Sequence, residues 1–149
     1  MKAIGIRHAA IVASDMEKVL PFYRDLLGMQ IWADFKDDSE YVQAVTGVKG
    51  AHIWTVNLKT VDGATIQLKQ YLSHPQSAPP PKRSCDTGLN HLAIQVDDID
   101  AIYAKLQACG TTFYTPPMVS SQGIAKVAIC RDPEGVLIEL VEMLPQKKP

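Results

Sequence analysis

Four polar side chains interrupt apolar, strand-like stretches in a pattern that indicates a metal centre. His8 and His91 each follow a glycine by three residues, and Gln67 and Glu139 each follow a turn glycine by four. Two imidazoles, an amide oxygen and a carboxylate suit one divalent Zn, Ni, Co, Mn or Fe(II) ion, with positions left for water or substrate. A lone histidine of this kind is more often a hydrogen-bonded core residue. The prediction of a metal site therefore depends on all four residues occurring together.

The chain repeats one pattern, which explains why these residues come in equivalent pairs. The segment GIRHAAIV, from Gly5 to Val12, resembles GLNHLAIQ, from Gly88 to Gln95. The offset between His8 and His91 is 91 − 8 = 83 residues. Duplicated halves of this kind indicate a fold more strongly than a function.

A helix is predicted after each opening strand. Ser14 and Glu17 have the spacing of a capping box, and the acidic stretch 97–100 places negative charge at the positive end of the second helix dipole. Apolar residues follow at helical spacing. Gly28 and Gly110 then end the two helices as left-handed C-caps.

Each half closes with a hairpin-like pair of strands joined by turns that contain Asp and Gly. A further strand follows each helix, so the order is strand–helix–strand–strand–strand, twice, which is an α+β pattern. One domain is predicted over 4–143, with a first module at 4–72, a proline-rich connection at 73–86 and a second module at 87–143. The predicted strands after the helices are Gln30–Asp34, His52–Leu58 and Ala64–Leu72 in the first half, and Thr111–Tyr114, Ile124–Cys130 and Val136–Met143 in the second.

Strand alternation places the four polar residues on one face of each half. His8 shares a face with Ala10, while Ile66 and Leu68 flank Gln67 on the opposite face. If the halves are related by approximate two-fold symmetry, the four polar groups converge at its centre.

The segments FYRDLLG and DPEGVLIEL, together with the two histidine motifs, resemble the vicinal-oxygen-chelate (glyoxalase, bleomycin resistance, extradiol dioxygenase) superfamily over about residues 4–143. The resemblance implies two βαβββ modules that form an eight-stranded, curved open barrel around a divalent metal. It implies His8, Gln67, His91 and Glu139 as the metal ligands, and Glu139 also as general base. It further implies a small-molecule substrate and a homodimer.

Three activities remain open within that resemblance. A His/Gln/His/Glu set is similar to methylmalonyl-CoA epimerases, whereas glyoxalase I-like sites often have glutamate at the position of Gln67. A lyase or isomerase that stabilises an enolate is therefore expected. One alternative is an extradiol dioxygenase whose Fe(II) is bound by His8, His91 and Glu139. The other is a non-catalytic antibiotic-binding protein.

Composition excludes several other classes. The net charge of −1 gives no basic surface for nucleic acid or an anionic membrane. The three cysteines have no CxxC spacing and are expected as reduced thiols, and no signal peptide is expected at the amino terminus, so a cytoplasmic location is predicted. Substrate specificity is expected from two segments taken as loops, Asp34–Lys49 and Thr115–Gln122.

Overall fold

The computed structural model describes residues 2–146, which divide into two compact units between Ala78 and Pro79. Each unit contains a four-stranded sheet with one parallel and two antiparallel strand pairs. The division falls inside the predicted connection 73–86. The α+β class, with two modules of the same strand order, is confirmed.

The first unit carries its strands in the spatial order β1-β4-β3-β2, and β1 is parallel to β4. One helix follows β1, and a second, short helix lies between β2 and β3. The elements are β1 (Ala9–Val12), α1 (Met16–Pro21), β2 (Gln30–Asp37), α2 (Glu40–Thr46), β3 (Ile53–Lys59) and β4 (Thr65–Tyr71).

The second unit repeats this topology with the order β5-β8-β7-β6, and β5 is parallel to β8. Its single helix is longer than α1 and regular throughout. The elements are β5 (His91–Gln95), α3 (Ile99–Ala108), β6 (Met118–Val119), β7 (Ala125–Arg131) and β8 (Leu137–Met143).

The two helix starts differ in detail from the prediction. Asp15, not Ser14, is the N-cap of α1, because its carboxylate accepts a hydrogen bond from the backbone N–H of Glu17 at 3.1 Å. The capping-box assignment to Ser14 is therefore wrong. Asp98 caps α3 by accepting from the backbone N–H of Ala101 at 2.9 Å, as its acidic start indicated.

Pro21 is the last residue of α1, and the helix continues from there as a π-helical turn over Phe22–Leu26. Proline has no N–H to donate to the preceding turn, which loosens the hydrogen-bond pattern at this point. The predicted left-handed glycines follow both helices, with φ of 71° at Gly28 and 85° at Gly110.

One face of each sheet forms a hydrophobic core with its helix. α1 packs against β4, and α3 packs against β7 and β8. Strand alternation leaves the opposite face of each sheet for the polar residues. The core residues on these sheet faces include Val56, Leu58, Ile66 and Leu68 in the first unit, and Ala128, Cys130, Ile138 and Leu140 in the second.

Two predicted segments are corrected. The strand expected at Thr111–Tyr114 is reduced to one bridge between Phe113 and Cys130, and the edge strand is the short β6. The segment Asp34–Lys49 is not a loop, because β2 continues to Asp37 and α2 follows, capped by Ser39. Among the described residues, no helix is long and apolar enough to cross a membrane.

Candidate metal centre

In the second unit, His91 and Glu139 are brought together on one face of the sheet. Their strands are neighbours, with His91 opposite Leu137 and Ala93 opposite Glu139, so the two side chains project to the same side. His91 Nε2 lies 3.4 Å from Glu139 Oε2. Both side chains remain partly accessible, 41% and 26% exposed, so a ligand can reach them.

The neighbouring residue Asn90 fixes the tautomer of His91. Asn90 Oδ1 lies 3.1 Å from His91 Nδ1. Because an amide oxygen only accepts hydrogen bonds, this contact places a proton on Nδ1, and Nε2 is the ring nitrogen that faces the Glu139 carboxylate. Two electron-rich atoms at this separation require a cation or a proton between them.

Asn90 is itself held by the segment that precedes β5 within the second unit. Its side-chain nitrogen donates to the backbone carbonyls of Ser84 at 3.0 Å and Arg83 at 3.3 Å. The Arg83 side chain pairs with Asp86, and this hydrogen bond holds the pKa of the Asp86 carboxyl below its ordinary value. The prediction from sequence did not include Asn90, although a carboxamide directly before a ligand histidine is a usable signal.

The separation of the two donor atoms suits a shared metal ion. Metal–nitrogen and metal–oxygen bonds of about 2.0–2.2 Å imply a donor–donor distance of about 3.3–3.5 Å around a tetrahedral ion. His91 and Glu139 meet that requirement. Their residue types, the accessible position and the Asn90 contact to the other ring nitrogen also fit a metal site.

In the first unit, His8 and Gln67 are placed by the equivalent register. Ala10 pairs with Gln67, as Ala93 pairs with Glu139. His8 lies one residue before β1, and not inside the strand as predicted. Side chains alternate between the two faces along an extended chain, and His8 is two residues before Ala10. His8 is therefore assigned to the same sheet face as Gln67. His8 is exposed and Gln67 is partly buried.

A polar residue outside the predicted set contacts Gln67. The amide nitrogen of Gln67 donates to Asn57 Oδ1 at 2.9 Å across the β3–β4 pair. Asn57 is only 6% exposed. In the second unit, the residue opposite Glu139 is the apolar Ile129.

Two further polar residues of the closing strands lie on the helix side and have structural roles. Gln70 accepts from the backbone N–H of Met16 at 3.0 Å and donates to the carbonyl of Ser14 at 3.1 Å. Glu142 accepts from the backbone N–H of Ile99 at 2.9 Å. These contacts supply acceptors for backbone N–H groups at the helix N-termini. Gln70 and Glu142 are therefore not among the metal-ligand candidates.

Four residues that could line a pocket or supply a second base lie in different environments. Tyr41 is 73% exposed and Glu40 is also exposed, so both are surface positions. The ring of Phe113 packs against Tyr103 with centroids 4.7 Å apart, which favours core packing. Met118 is 60% exposed on β6.

Within residues 2–146, no three His, Cys, Asp or Glu side chains gather closely enough to hold a metal ion. The structure therefore presents the candidate ligands as two pairs. His91 and Glu139 lie on the second sheet, and His8 and Gln67 are assigned to the first.

Comparison with known proteins agrees with this architecture. A probable lactoylglutathione lyase from Vibrio parahaemolyticus is 26% identical over 138 residues, covering 92% of this chain and 89% of the relative. The uncharacterized protein YaeR from Escherichia coli is 31% identical over 137 residues, covering 92% and 95%. The crystal structure of a glyoxalase family protein from Bacillus cereus matches with a TM-score of 0.88 and 22% identity over 97% of both chains, which shows the same fold. Residues 5–140 match the model of the Glyoxalase/Bleomycin resistance protein/Dioxygenase superfamily, and the chain belongs to that superfamily.

Proposed function

We propose that this protein is a metal-dependent lyase or isomerase of the glyoxalase type. His8, Gln67, His91 and Glu139 are the proposed ligands of one divalent ion, and Glu139 is the proposed general base. The observation that carries the proposal is the 3.4 Å approach of His91 Nε2 to Glu139 Oε2, with the other ring nitrogen, Nδ1, in contact with Asn90.

A divalent metal at this position would supply Lewis acidity toward the oxygens of a bound carbonyl substrate. The protein's own part is a proton transfer. Glu139 takes the proton from the hydroxyl-bearing carbon next to the carbonyl and returns it to the carbonyl carbon. The hydroxyl proton passes to the former carbonyl oxygen, so one C–H and one O–H bond break, one of each forms, and the composition is unchanged. The carboxylate is 26% exposed on an open sheet face, so substrate can approach it.

A lyase of the lactoylglutathione type is the first choice of reaction. Four of the relatives carry the name lactoylglutathione lyase or probable lactoylglutathione lyase, at 25–28% identity. Lactoylglutathione is an α-hydroxy thioester, and a proton shift between its adjacent carbons relates it to the hemithioacetal of a 2-oxo-aldehyde. That shift is the chemistry assigned above to Glu139.

Epimerisation is the second choice, and Gln67 is the observation that favours it. The neutral amide leaves the metal about one charge more positive than a glutamate would, which strengthens enolate stabilisation and weakens metal affinity. The substitution Gln67→Glu is therefore expected to bind metal more tightly. An epimerase would exchange a substrate C–H with solvent and form no lactoylglutathione.

The experiment begins with elemental analysis of protein purified without added metal, repeated for His8→Ala and Glu139→Ala. We expect the wild-type protein to contain one metal ion per chain. The metal content should fall clearly in both variants. An unchanged metal-to-protein ratio in both variants would remove the proposed centre.

Activity is then measured with zinc-, nickel-, cobalt-, manganese- and iron-loaded protein. The thioester product from the hemithioacetal of methylglyoxal and glutathione supports the lyase, and oxygen uptake with a catechol would instead indicate a dioxygenase. Tight binding of an aromatic cationic antibiotic to metal-free protein would support a binding protein. A homodimer is part of the proposal, and light scattering of the purified protein measures it.

A further inference from the structure

Asn57 and Gln67 form a directed side-chain contact on the face assigned to the ligands. They are opposite residues of β3 and β4, and the amide nitrogen of Gln67 donates to Asn57 Oδ1 at 2.9 Å. Asn57 is 6% exposed, whereas Gln67 is more accessible. The bond ties up the nitrogen end of the Gln67 amide and leaves the oxygen end for another partner.

An amide ligand needs such a device because its two ends have similar shapes and opposite chemistry. The oxygen has lone pairs for a metal ion, and the NH2 group has only donors. A carboxylate has two equivalent oxygens, so its rotation does not matter. Consistent with this, Glu139 of the second unit lies opposite Ile129, which offers no hydrogen bond.

We propose that Asn57 is a positioning residue that selects the Gln67 amide orientation with the oxygen free to bind metal. This inference rests on the proposed function, since it takes Gln67 as a ligand. It also explains why a buried polar residue stands where the second unit has isoleucine. Asn57 acts through Gln67 and does not itself bind the metal.

A double-mutant cycle tests the proposal with four proteins: wild type, Asn57→Leu, Gln67→Glu and the double variant. Zinc, nickel and cobalt affinities are measured by competition with a chelator, without any activity assay. Loss of a residue that orients a metal ligand typically costs about 10–100-fold in metal affinity, so we expect Asn57→Leu to weaken binding about tenfold or more. In the Gln67→Glu background the same substitution should cost less than about threefold, because either carboxylate oxygen can bind.

Thr55→Val is the matched control. Thr55 lies on the same face of β3 two residues from Asn57, is 4% exposed and pairs with Lys69 in place of Gln67. It should leave metal affinity unchanged. Thermal melting of every variant, together with the smaller change Asn57→Ala, separates loss of folding from loss of positioning.

A second measurement follows the contact in metal-free protein. The side-chain amide protons of Gln67 should exchange with solvent faster in Asn57→Leu than in wild type, as recorded by NMR. An equal loss of affinity in both backgrounds, or no loss in either, overturns the positioning role. If wild type and Gln67→Glu both fail to bind metal, the metal centre is overturned and the role of Asn57 with it, although the exchange measurement still reports the Asn57–Gln67 contact.

Discussion

Asn90 Oδ1 lies 3.1 Å from Nδ1 of His91, and this contact decides which ring nitrogen of the histidine is available. The opposite nitrogen, Nε2, faces Glu139 at 3.4 Å. Metal-binding histidines depend on such a partner for their tautomer and ring orientation. Asn90 thus links the segment before β5, at Arg83 and Ser84, to the candidate metal site.

Replacement of Asn90 should weaken metal binding. Asn90→Ala removes the acceptor for His91 Nδ1 and the two donor contacts to the connection, and we expect a loss of about 10–100-fold in zinc or nickel affinity. Asn90→Asp keeps the acceptor but cannot donate to the carbonyls of Arg83 and Ser84. It should retain near wild-type affinity in chelator competition. A loss in Asn90→Asp as large as in Asn90→Ala would show that the backbone contacts matter, and not the tautomer.

Removal of the proposed base should separate chemistry from folding. Glu139→Gln leaves a side chain of the same shape that cannot accept the proton, so kcat should fall by about 10²–10⁴. Glu142→Gln is the matched control, because Glu142 lies on the same strand but faces α3. It should keep kcat and solvent exchange of the substrate C–H near wild type. Equal effects of the two substitutions on kcat would argue against a special role for Glu139.

The sequence predicted the repeat well because the pattern is local. Glycine, histidine and an alternating apolar run recur at a fixed offset, and the strand register then follows from hydrophobic alternation. The equivalence of His8 and His91 and of Gln67 and Glu139 appears in the register, where Ala10 pairs with Gln67 as Ala93 pairs with Glu139.

The sequence did not predict the supporting contacts, because these depend on pairs far apart along the chain. In the sequence, Asn57 is one polar residue in a mostly apolar strand. Only the pairing of β3 with β4 shows that it lies opposite Gln67. Ser14, with Glu17 three residues later, has the capping-box pattern, whereas Asp15 has Lys18 at that spacing, and only the backbone geometry selects Asp15 as the N-cap. The helix α2 was missed because it is a seven-residue helix with no fully buried residue, so it lacks a periodic apolar signal.

The three cysteines should differ sharply in reactivity. Cys130 is 1% exposed, and burial, with the nearby charge of Asp132, raises the pKa of its thiol to about 12. Cys85 and Cys109 are exposed. Iodoacetamide at pH 8 should therefore label Cys85 and Cys109 in the native protein, and Cys130 only after unfolding. Peptide mass spectrometry identifies the labelled sites, and native labelling of Cys130 at the rate of Cys109 would contradict its burial.

The same thiol makes stability depend on alkaline pH. Because the folded pKa of Cys130 lies above the ordinary value of 9.0, its contribution to the free energy of unfolding is complete below pH 9. It is lost progressively as the pH rises toward about 12, since the unfolded thiol ionises first. Urea unfolding at pH 8 and 10.5 should show this decline in wild type. The decline should be smaller in Cys130→Val, and an identical slope in both proteins would exclude Cys130 as its source.

Gln70 should matter for stability and not for metal binding, despite lying three residues from Gln67. Its side chain accepts from Met16 N–H and donates to the Ser14 carbonyl at the start of α1. Loss of a helix-capping contact costs about 1 kcal/mol. Gln70→Leu should therefore lower the free energy of unfolding by about that amount in urea titrations while metal affinity stays unchanged. Gln95→Leu serves as the control, because Gln95 is exposed at the end of β5 and should change stability little. If Gln70→Leu instead weakened metal binding as strongly as Gln67→Leu, the assignment of these two glutamines to opposite faces of the sheet would be wrong.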